Sequence, residues 1–287
     1  MDTESTLGNS QMSAQNAGAT PAGQPSSGSA WRHLTQANWF PPLVIGIVII
    51  VVWSLTVTLL RLPTYLLPSP WQIATEMVQN VDLFVRNGYW TIIEALGGFF
   101  IGGSLGLLLG VVLAQSRFIE RGCLPMIVGA TTVPIVAFAP LVVVYVGTGI
   151  QSKIVVAAIV SFFPLCLYTL KGLLSTEPVL RDLFYSMAAS RWDVFFRLRV
   201  PTSLPYVFTA MKQTSTLAVI SAIIAEYIQA DRGLGYIILQ SSYVMDIPRM
   251  WSAVVYSSLM AIAFYGVVAL LERRFVGWHS SFFEQRQ

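Results

Sequence analysis

Six long apolar runs, separated by short polar segments, fill most of the sequence after residue 40. A helix needs about 20 predominantly apolar residues to cross the hydrocarbon core of a bilayer, and each run meets or approaches that length. Only 11% of the residues are charged, whereas a soluble domain has about 25%. The pattern predicts an all-α, polytopic membrane protein with about six transmembrane helices. The runs cover residues 43–60, 91–115, 123–146, 154–174, 206–229 and 251–271.

The first thirty residues differ in composition from the rest, because they are rich in Ser, Gly, Ala, Gln and Thr and contain no aromatic residue. Such a segment buries too little apolar surface to offset the entropy lost on ordering. We expect a disordered tail over 1–30 and one transmembrane domain over 31–287. Lys and Arg favour the loops on one side of the bundle, 11 against 5, with one more inside a span. By the positive-inside rule, both termini and the loop 175–205 are predicted to be cytoplasmic.

The second apolar run contains glycines at an exact four-residue spacing, at Gly98, Gly102, Gly106 and Gly110. Four-residue spacing places them on one face of a helix, where a second helix can approach closely. The stripe therefore predicts tight helix packing, either within the subunit or between two copies of the chain.

The loop 175–205, which we call the elbow, interrupts the apolar runs with arginines, aromatic residues and two prolines. Its pattern predicts two short helices joined at Ala188 and Ala189. Ser190 and Asp193 have the spacing of a capping box. We expect Pro201 and Pro205 to end the second helix and begin the fifth span. The aromatic side chains need a surface to cover them, which is the bundle itself, the lipid headgroups or a protein partner.

The elbow resembles the cytoplasmic loop of binding-protein-dependent ABC importer permeases. That family pattern places an acid at Asp182, a glycine at Ala188 and a proline at Pro201. Leu183 and Phe184 stand where the pattern has paired alanines, and Ala188 replaces the glycine. The resemblance extends over nearly all of the chain after residue 40 and is strongest to the nitrate, sulfonate and taurine branch. It rests on the stretches LPSP at 67–70, TIIEALGGF at 91–99, VPIVAFAPLVVVYVGTGIQSKI at 133–154 and AEYIQADRGLGYII at 225–238.

The resemblance implies a transport subunit of the cell membrane that is not itself an enzyme. Two permease copies, most simply a homodimer, would form the pathway, and two separate cytoplasmic ATPase subunits would bind ATP and Mg²⁺. An extracytoplasmic binding protein would deliver a small anion, such as nitrate, a sulfonate or taurine, or a heterocyclic vitamin precursor, such as riboflavin or a pyrimidine. No nucleic acid is implied. The ATPase contacts are expected at Arg181, Asp182, Tyr185, Ala188, Ser190, Arg191 and Trp192.

Polar residues inside the predicted spans are candidates for the pathway, because hydroxyls and broken backbone at membrane depth face protein or a cavity. Local packing is the alternative for each of them. Glu94 is expected near the outer interface in contact with water. Glu226 is expected either in the same environment or at an outer gate, or paired with Arg232 or Lys153. The pathway candidates are Thr131, Thr132, Pro134, Thr214, Ser215, Ser221 and Glu226.

Several other functions find no support in the sequence. The stretch GTGIQSK at 147–153 lacks the adjacent Gly-Lys-Ser/Thr ending of a phosphate-binding loop, so ATP is expected on another chain. No metal-ligand spacing and no hydrolase motif occurs. A secondary transporter or channel would show inverted repeats or ion-coupling acids, and it remains an alternative. A membrane anchor for a cytoplasmic partner is a third possibility.

Overall fold

A computed structural model describes residues 40–229 and 231–276, so the predicted tail over 1–30 lies outside the described residues. Residues 53–276, without 230, belong to one compact unit, and residues 40–52 belong to a separate unit that is helical. The described chain contains α-helices and one π-helix over Val194–Arg199. The α-helices are α1 Phe40–Leu59, α2 Pro70–Gln79, α3 Val81–Gln115, α4 Arg117–Thr131, α5 Ile135–Val146, α6 Ile150–Leu174, α7 Pro178–Ser186, α8 Arg191–Asp193, α9 Val200–Ile228, α10 Leu234–Tyr243 and α11 Ile247–Phe275.

Five helical segments are long and apolar enough to cross a membrane, and α4 and α5, bent by 98° relative to each other, bring the number to six if the pair counts as one broken span. The prediction of about six spans in an all-α membrane protein is therefore confirmed. The third span is broken at Thr132 and Pro134, where the sequence places a proline. The second span starts ten residues earlier than its apolar run, because α3 continues through the polar residues Asp82, Arg86 and Asn87.

The glycine stripe of α3 packs against α6 inside the same subunit. A Cβ atom added at Gly102 would overlap the Ala158 carbonyl, and one added at Gly106 would overlap the Phe162 carbonyl. A Cβ atom added at Gly98 or at Gly110 would also lie closer than 3.0 Å to atoms of α6. The two backbones approach closely along the stripe because glycine places no side chain between them. Of the two expectations for the stripe, the structure shows packing within the subunit.

The elbow joins α9 without a break, and this corrects the expectation that Pro201 and Pro205 end the preceding helix. The π-helix Val194–Arg199 runs directly into α9, and the Val200 N–H still donates to the Phe195 carbonyl. Pro201 lies in the first turn of α9, where a missing N–H costs little. The backbone therefore remains helical from the elbow into the fifth span.

Candidate coupling segment and transport pathway

The elbow turns sharply between α7 and α8. The turn is closed by backbone hydrogen bonds from Ala188 N–H to the Tyr185 carbonyl and from Ala189 N–H to the Phe184 carbonyl, each 3.0 Å long. Ala188 has a φ of 56°, which is the left-handed region that glycine adopts without strain. The family pattern places glycine at this position, so the backbone conformation explains that preference.

A capping box starts the helix that follows the turn. The Asp193 N–H donates to the Ser190 hydroxyl over 3.2 Å, and the Ser190 N–H donates to the Asp193 carboxylate over 3.3 Å. Arg197 forms an ion pair with Asp193, with 3.3 Å between Nε and Oδ1. The capping box predicted from the sequence and its i,i+4 pair are thus present, and they fix the direction in which the elbow leaves the turn.

Three aromatic rings cluster on the elbow, with centroids 5.0–6.4 Å apart for Trp192, Phe195 and Phe196. Val194 and Leu198 are buried and hold this segment against the bundle. Trp192 nevertheless leaves 71% of its surface exposed and Phe196 leaves 59%. The opposite side of the turn is also apolar and exposed, with Met187 at 72%. One side of the elbow therefore packs against the bundle, and the apolar side chains on its other side are exposed.

All seven residues predicted to contact an ATPase lie together on the elbow. Arg181 is half-buried, and the other six are exposed. The exposed residues are Asp182, Tyr185, Ala188, Ser190, Arg191 and Trp192. Their role in binding a partner stays a prediction, and their common surface makes that role geometrically possible.

The bend between α4 and α5 is open rather than packed. Thr131, Thr132 and Pro134 are exposed, and each threonine hydroxyl donates back to a carbonyl of its own helix over 2.7 Å. Beside the bend lies a groove of about 480 Å³, whose lining includes Phe138, Phe163 and Leu217. Of the predicted pathway residues of the third span, Thr131 lines this groove, whereas Thr132 and Pro134 do not.

The predicted pathway residues of the fifth span face the interior of the subunit instead. Thr214, Ser215 and Ser221 are buried, and the two serine hydroxyls donate to carbonyls of α9 itself. Thr214 Oγ1 is also buried and has no hydrogen-bond partner among the described residues. The role of these three residues in the pathway stays a prediction.

A buried polar cluster closes the end of the bundle opposite the elbow. Glu226 is fully buried, and its carboxylate accepts hydrogen bonds from the Thr91 hydroxyl over 2.7 Å and from the Gly235 N–H over 2.6 Å. Asn87 accepts from the Gly233 N–H over 2.9 Å, and Thr91 accepts from the Leu234 N–H over 2.9 Å. These bonds satisfy the first N–H groups of α10, which would otherwise lack partners.

The charged members of the cluster correct two expectations. Glu94 does not reach water, because it is fully buried beside Glu226 and lies 3.5 Å from the ammonium group of Lys153. Glu226 forms an ion pair with neither cation, because Arg232 lies over the Trp90 ring with 3.7 Å to its centroid and the Lys153 ammonium group pairs with Glu94. The Glu226 carboxylate is compensated by hydrogen-bond donors, whereas neither Glu94 oxygen has a hydrogen-bond partner among the described residues and the ammonium group of Lys153 is the opposite charge beside it.

Sequence reasoning missed two features of these sites. Glu94 and Lys153 are far apart in the sequence, and no local pattern in either span predicts their contact. Gln213 is exposed on α9, one turn before Leu217, and an amide within an apolar span was a readable signal that sequence analysis passed over.

These features together define a class of protein, namely a polytopic membrane bundle with a helical elbow at one end and an open groove beside a broken span. A sequence match to the binding-protein-dependent transport system inner membrane component family extends over residues 102–277. The chain belongs to this family of ABC importer permeases and is a multi-pass inner membrane protein. The resemblance read from the sequence is confirmed.

Similar proteins agree with this assignment. The formylaminopyrimidine transport permease ThiX of Halalkalibacterium halodurans is 32% identical over 83% of this chain and 95% of its own length. The riboflavin transport permease RibX of Chloroflexus aurantiacus is 31% identical over 87% of this chain and 95% of its own length. Sulfonate, nitrate and taurine permeases match at 24–29% identity. A chain of the inward-facing MetNI methionine ABC transporter shares the fold, with a TM-score of 0.60 and 20% identity over 69% of this chain and 98% of that chain.

Proposed function

We propose that two copies of this chain form one solute pathway and that each elbow docks in a cleft of a separate cytoplasmic ATPase subunit. The exposed aromatic surface of the elbow carries this proposal. Trp192 and Phe196 are largely uncovered although the capping box and the buried residues Val194 and Leu198 hold the backbone beneath them. Rigid, exposed apolar surface is typical of a protein interaction site.

The continuous helix provides a mechanical connection. In this proposal, ATP-driven closure of the ATPase pair moves the elbows, and the π-helix Val194–Arg199 passes that movement directly into α9. The other end of α9 carries Glu226, which binds the start of α10. A displacement at the elbow is therefore transmitted to the opposite face of the bundle. ATP and Mg²⁺ bind the ATPase subunits, and this chain binds neither.

The solute belongs to one of the two classes that relatives transport. Formylaminopyrimidine and riboflavin are heterocycles, whereas nitrate and sulfonates are small anions. An extracytoplasmic binding protein delivers the solute to the face of the bundle opposite the elbow. Both termini and the elbow lie in the cytoplasm, as the distribution of Lys and Arg predicts.

The coupling contact is tested by comparing two tryptophan variants of the full complex. Trp192→Ala removes an aromatic anchor from the elbow, and loss of an anchor of this kind weakens an interface by about tenfold or more. Trp71→Ala is the matched control, because Trp71 is 79% exposed but lies on α2, at the other end of the bundle. We expect only Trp192→Ala to lose the co-purifying ATPase and ATP-dependent uptake.

Two results would contradict the proposal. Normal co-purification and normal uptake by Trp192→Ala would show that the elbow is not the coupling contact. Solute uptake by the purified chain without any ATPase would instead identify a secondary transporter or a channel.

A further inference from the structure

The groove beside the bend between α4 and α5 lies at the depth where a transported solute must pass. Its lining includes Thr131, Phe138, Ile159, Phe163 and Leu217, which come from four different helices. Ile159 is near the middle of α6, and Leu217 is near the middle of α9. The groove therefore lies about halfway between the elbow and the polar cluster around Glu226.

The broken backbone at the bend indicates that lipid does not cover this face of the subunit. The backbone leaves the helical path at Thr132 and Pro134, and both residues are exposed. Irregular backbone at membrane depth is tolerated only where protein or a water-filled cavity covers it. Gln213 is exposed one helical turn from Leu217, and an amide group is likewise costly against hydrocarbon. The groove therefore faces protein or a water-filled cavity, and in the proposed importer that cavity is the pathway.

No positive charge is available in the groove. Within 40–229 and 231–276, the groove lining contains no charged side chain. Two lysines of the neighbouring helices already have acidic partners, because Lys153 lies 3.5 Å from Glu94 and Lys212 lies 2.6 Å from Glu272. Lys171 is exposed at the elbow end of α6, about 10 Å along the helix from Pro164 in the lining.

The absence of a cation matters for an anionic solute. An ion that leaves water loses a large hydration energy, and only a paired charge or several N–H donors restore it. The groove offers carbon surface, one threonine hydroxyl and the nearby amide of Gln213. These groups suit an uncharged ring with a few polar substituents, which packs against aromatic side chains and accepts or donates single hydrogen bonds.

We infer that the pathway carries an uncharged, flat heterocyclic solute rather than a small anion, and that Phe138 and Phe163 contact its ring. The inference rests on the proposed function, since a groove selects a solute only in a working importer. The volume of about 480 Å³ accommodates a molecule of that kind.

The experiment measures ATP-dependent uptake by the complete complex of permease, ATPase and binding protein in proteoliposomes. The neutral probes are riboflavin and cytosine, and the anionic probes are nitrate and methanesulfonate. We expect uptake of at least one neutral probe and of neither anion. ATP-dependent uptake of an anion overturns the inference, and so does uptake of neither neutral probe by a complex that retains its ATPase and hydrolyses ATP. Failure of ATP to drive any uptake, together with loss of the co-purifying ATPase, contradicts the proposed function instead.

A second comparison tests the two aromatic rings. Phe138→Leu and Phe163→Leu keep apolar bulk but remove the ring, and each is expected to lower uptake of the neutral probe about tenfold. Phe162→Leu is the control, because Phe162 neighbours Phe163 on α6 but does not line the groove. ATP hydrolysis by all three variants reports that the complex is assembled. Equal uptake by the control and both groove variants overturns the role of the rings.

Discussion

The Glu226 carboxylate accepts a hydrogen bond from the Thr91 hydroxyl over 2.7 Å, and both side chains are fully buried. The contact joins α3 to α9 across 135 positions of sequence. Because Thr91 also accepts from the Leu234 N–H and Glu226 accepts from the Gly235 N–H, the same two side chains position the start of α10. The face of the bundle opposite the elbow therefore depends on a small number of polar contacts.

Replacing Thr91 by valine is expected to destabilise the protein markedly. Thr91→Val keeps the shape of the side chain but removes one donor and one acceptor, which leaves the Glu226 carboxylate and the Leu234 N–H with unsatisfied bonding capacity. Each unsatisfied buried group costs about 1–3 kcal/mol. The measurement is the midpoint of thermal unfolding in detergent.

The control for this variant is Thr209→Val on α9. Thr209 is exposed, and its hydroxyl donates only to the Pro205 carbonyl of its own helix. We expect the control to unfold within a degree or two of the wild type, since no buried group loses a partner. Equal midpoints for Thr91→Val and Thr209→Val would show that the polar cluster does not stabilise the bundle.

Removing the Lys153 ammonium group should lower the free energy of unfolding more than removing a less buried ammonium group. Lys153→Met leaves the Glu94 carboxylate buried beside Glu226 without its positive partner. Breaking a buried pair on one side costs about 3–5 kcal/mol. The double variant Lys153→Met with Glu94→Gln is expected to recover most of the loss, because it removes the uncompensated charge as well.

Lys212→Met provides the comparison for the lysine substitution. Its ion pair with Glu272 has a shorter separation, 2.6 Å, but the two side chains are 22% and 12% exposed. Water compensates part of the loss at such a site, so the midpoint of thermal unfolding should fall less. A larger fall for Lys212→Met than for Lys153→Met would contradict this account.

Local patterns predicted the local structure well. The spacing of Ser190 and Asp193 predicted a capping box, and the spacing of the glycines in α3 predicted a close helix contact; both are present. Such features depend on residues within one or two turns of one another, so the sequence contains all the information they need. The number of spans follows from hydrophobic length in the same way.

Contacts between distant segments could not be predicted in this way. Glu94 was expected in water because the sequence shows an acid near the end of an apolar run, but its environment is set by Lys153 on α6. The helical path through Pro201 was missed for a different reason, since a π-helix has no simple sequence signal. Both errors arise where packing of the whole bundle overrides a local preference.

Adding one methyl group to α3 is expected to disrupt the bundle. The Cβ of Gly102→Ala would overlap the carbonyl of Ala158, and the helix backbone cannot yield without separating α3 from α6. Overpacking of this type costs about 1–3 kcal/mol or more. Gly266→Ala on α11 is the matched control, because nothing lies within 4 Å of its added Cβ.

Detergent-solubilised yield and thermal unfolding distinguish the two glycine variants. Gly266→Ala should be neutral or slightly stabilising, since alanine favours a helix more than glycine does. Gly102→Ala should express poorly or unfold several degrees earlier. Wild-type behaviour of Gly102→Ala would mean that α3 and α6 are farther apart than the structure shows.

Restoring the family's glycine at position 188 is expected to stabilise the turn of the elbow. Ala188 has a positive φ, whereas Ala189 does not, so the same substitution should act in opposite directions at the two neighbours. Ala188→Gly relieves a left-handed conformation that costs an alanine about 1 kcal/mol, partly offset by the greater freedom of glycine in the unfolded chain. Ala189→Gly relieves no left-handed conformation and only increases the conformational freedom of the unfolded chain. Hydrogen exchange of the amides at 188–194 should slow in Ala188→Gly and accelerate in Ala189→Gly, and faster exchange in Ala188→Gly would contradict the conformation assigned to the turn.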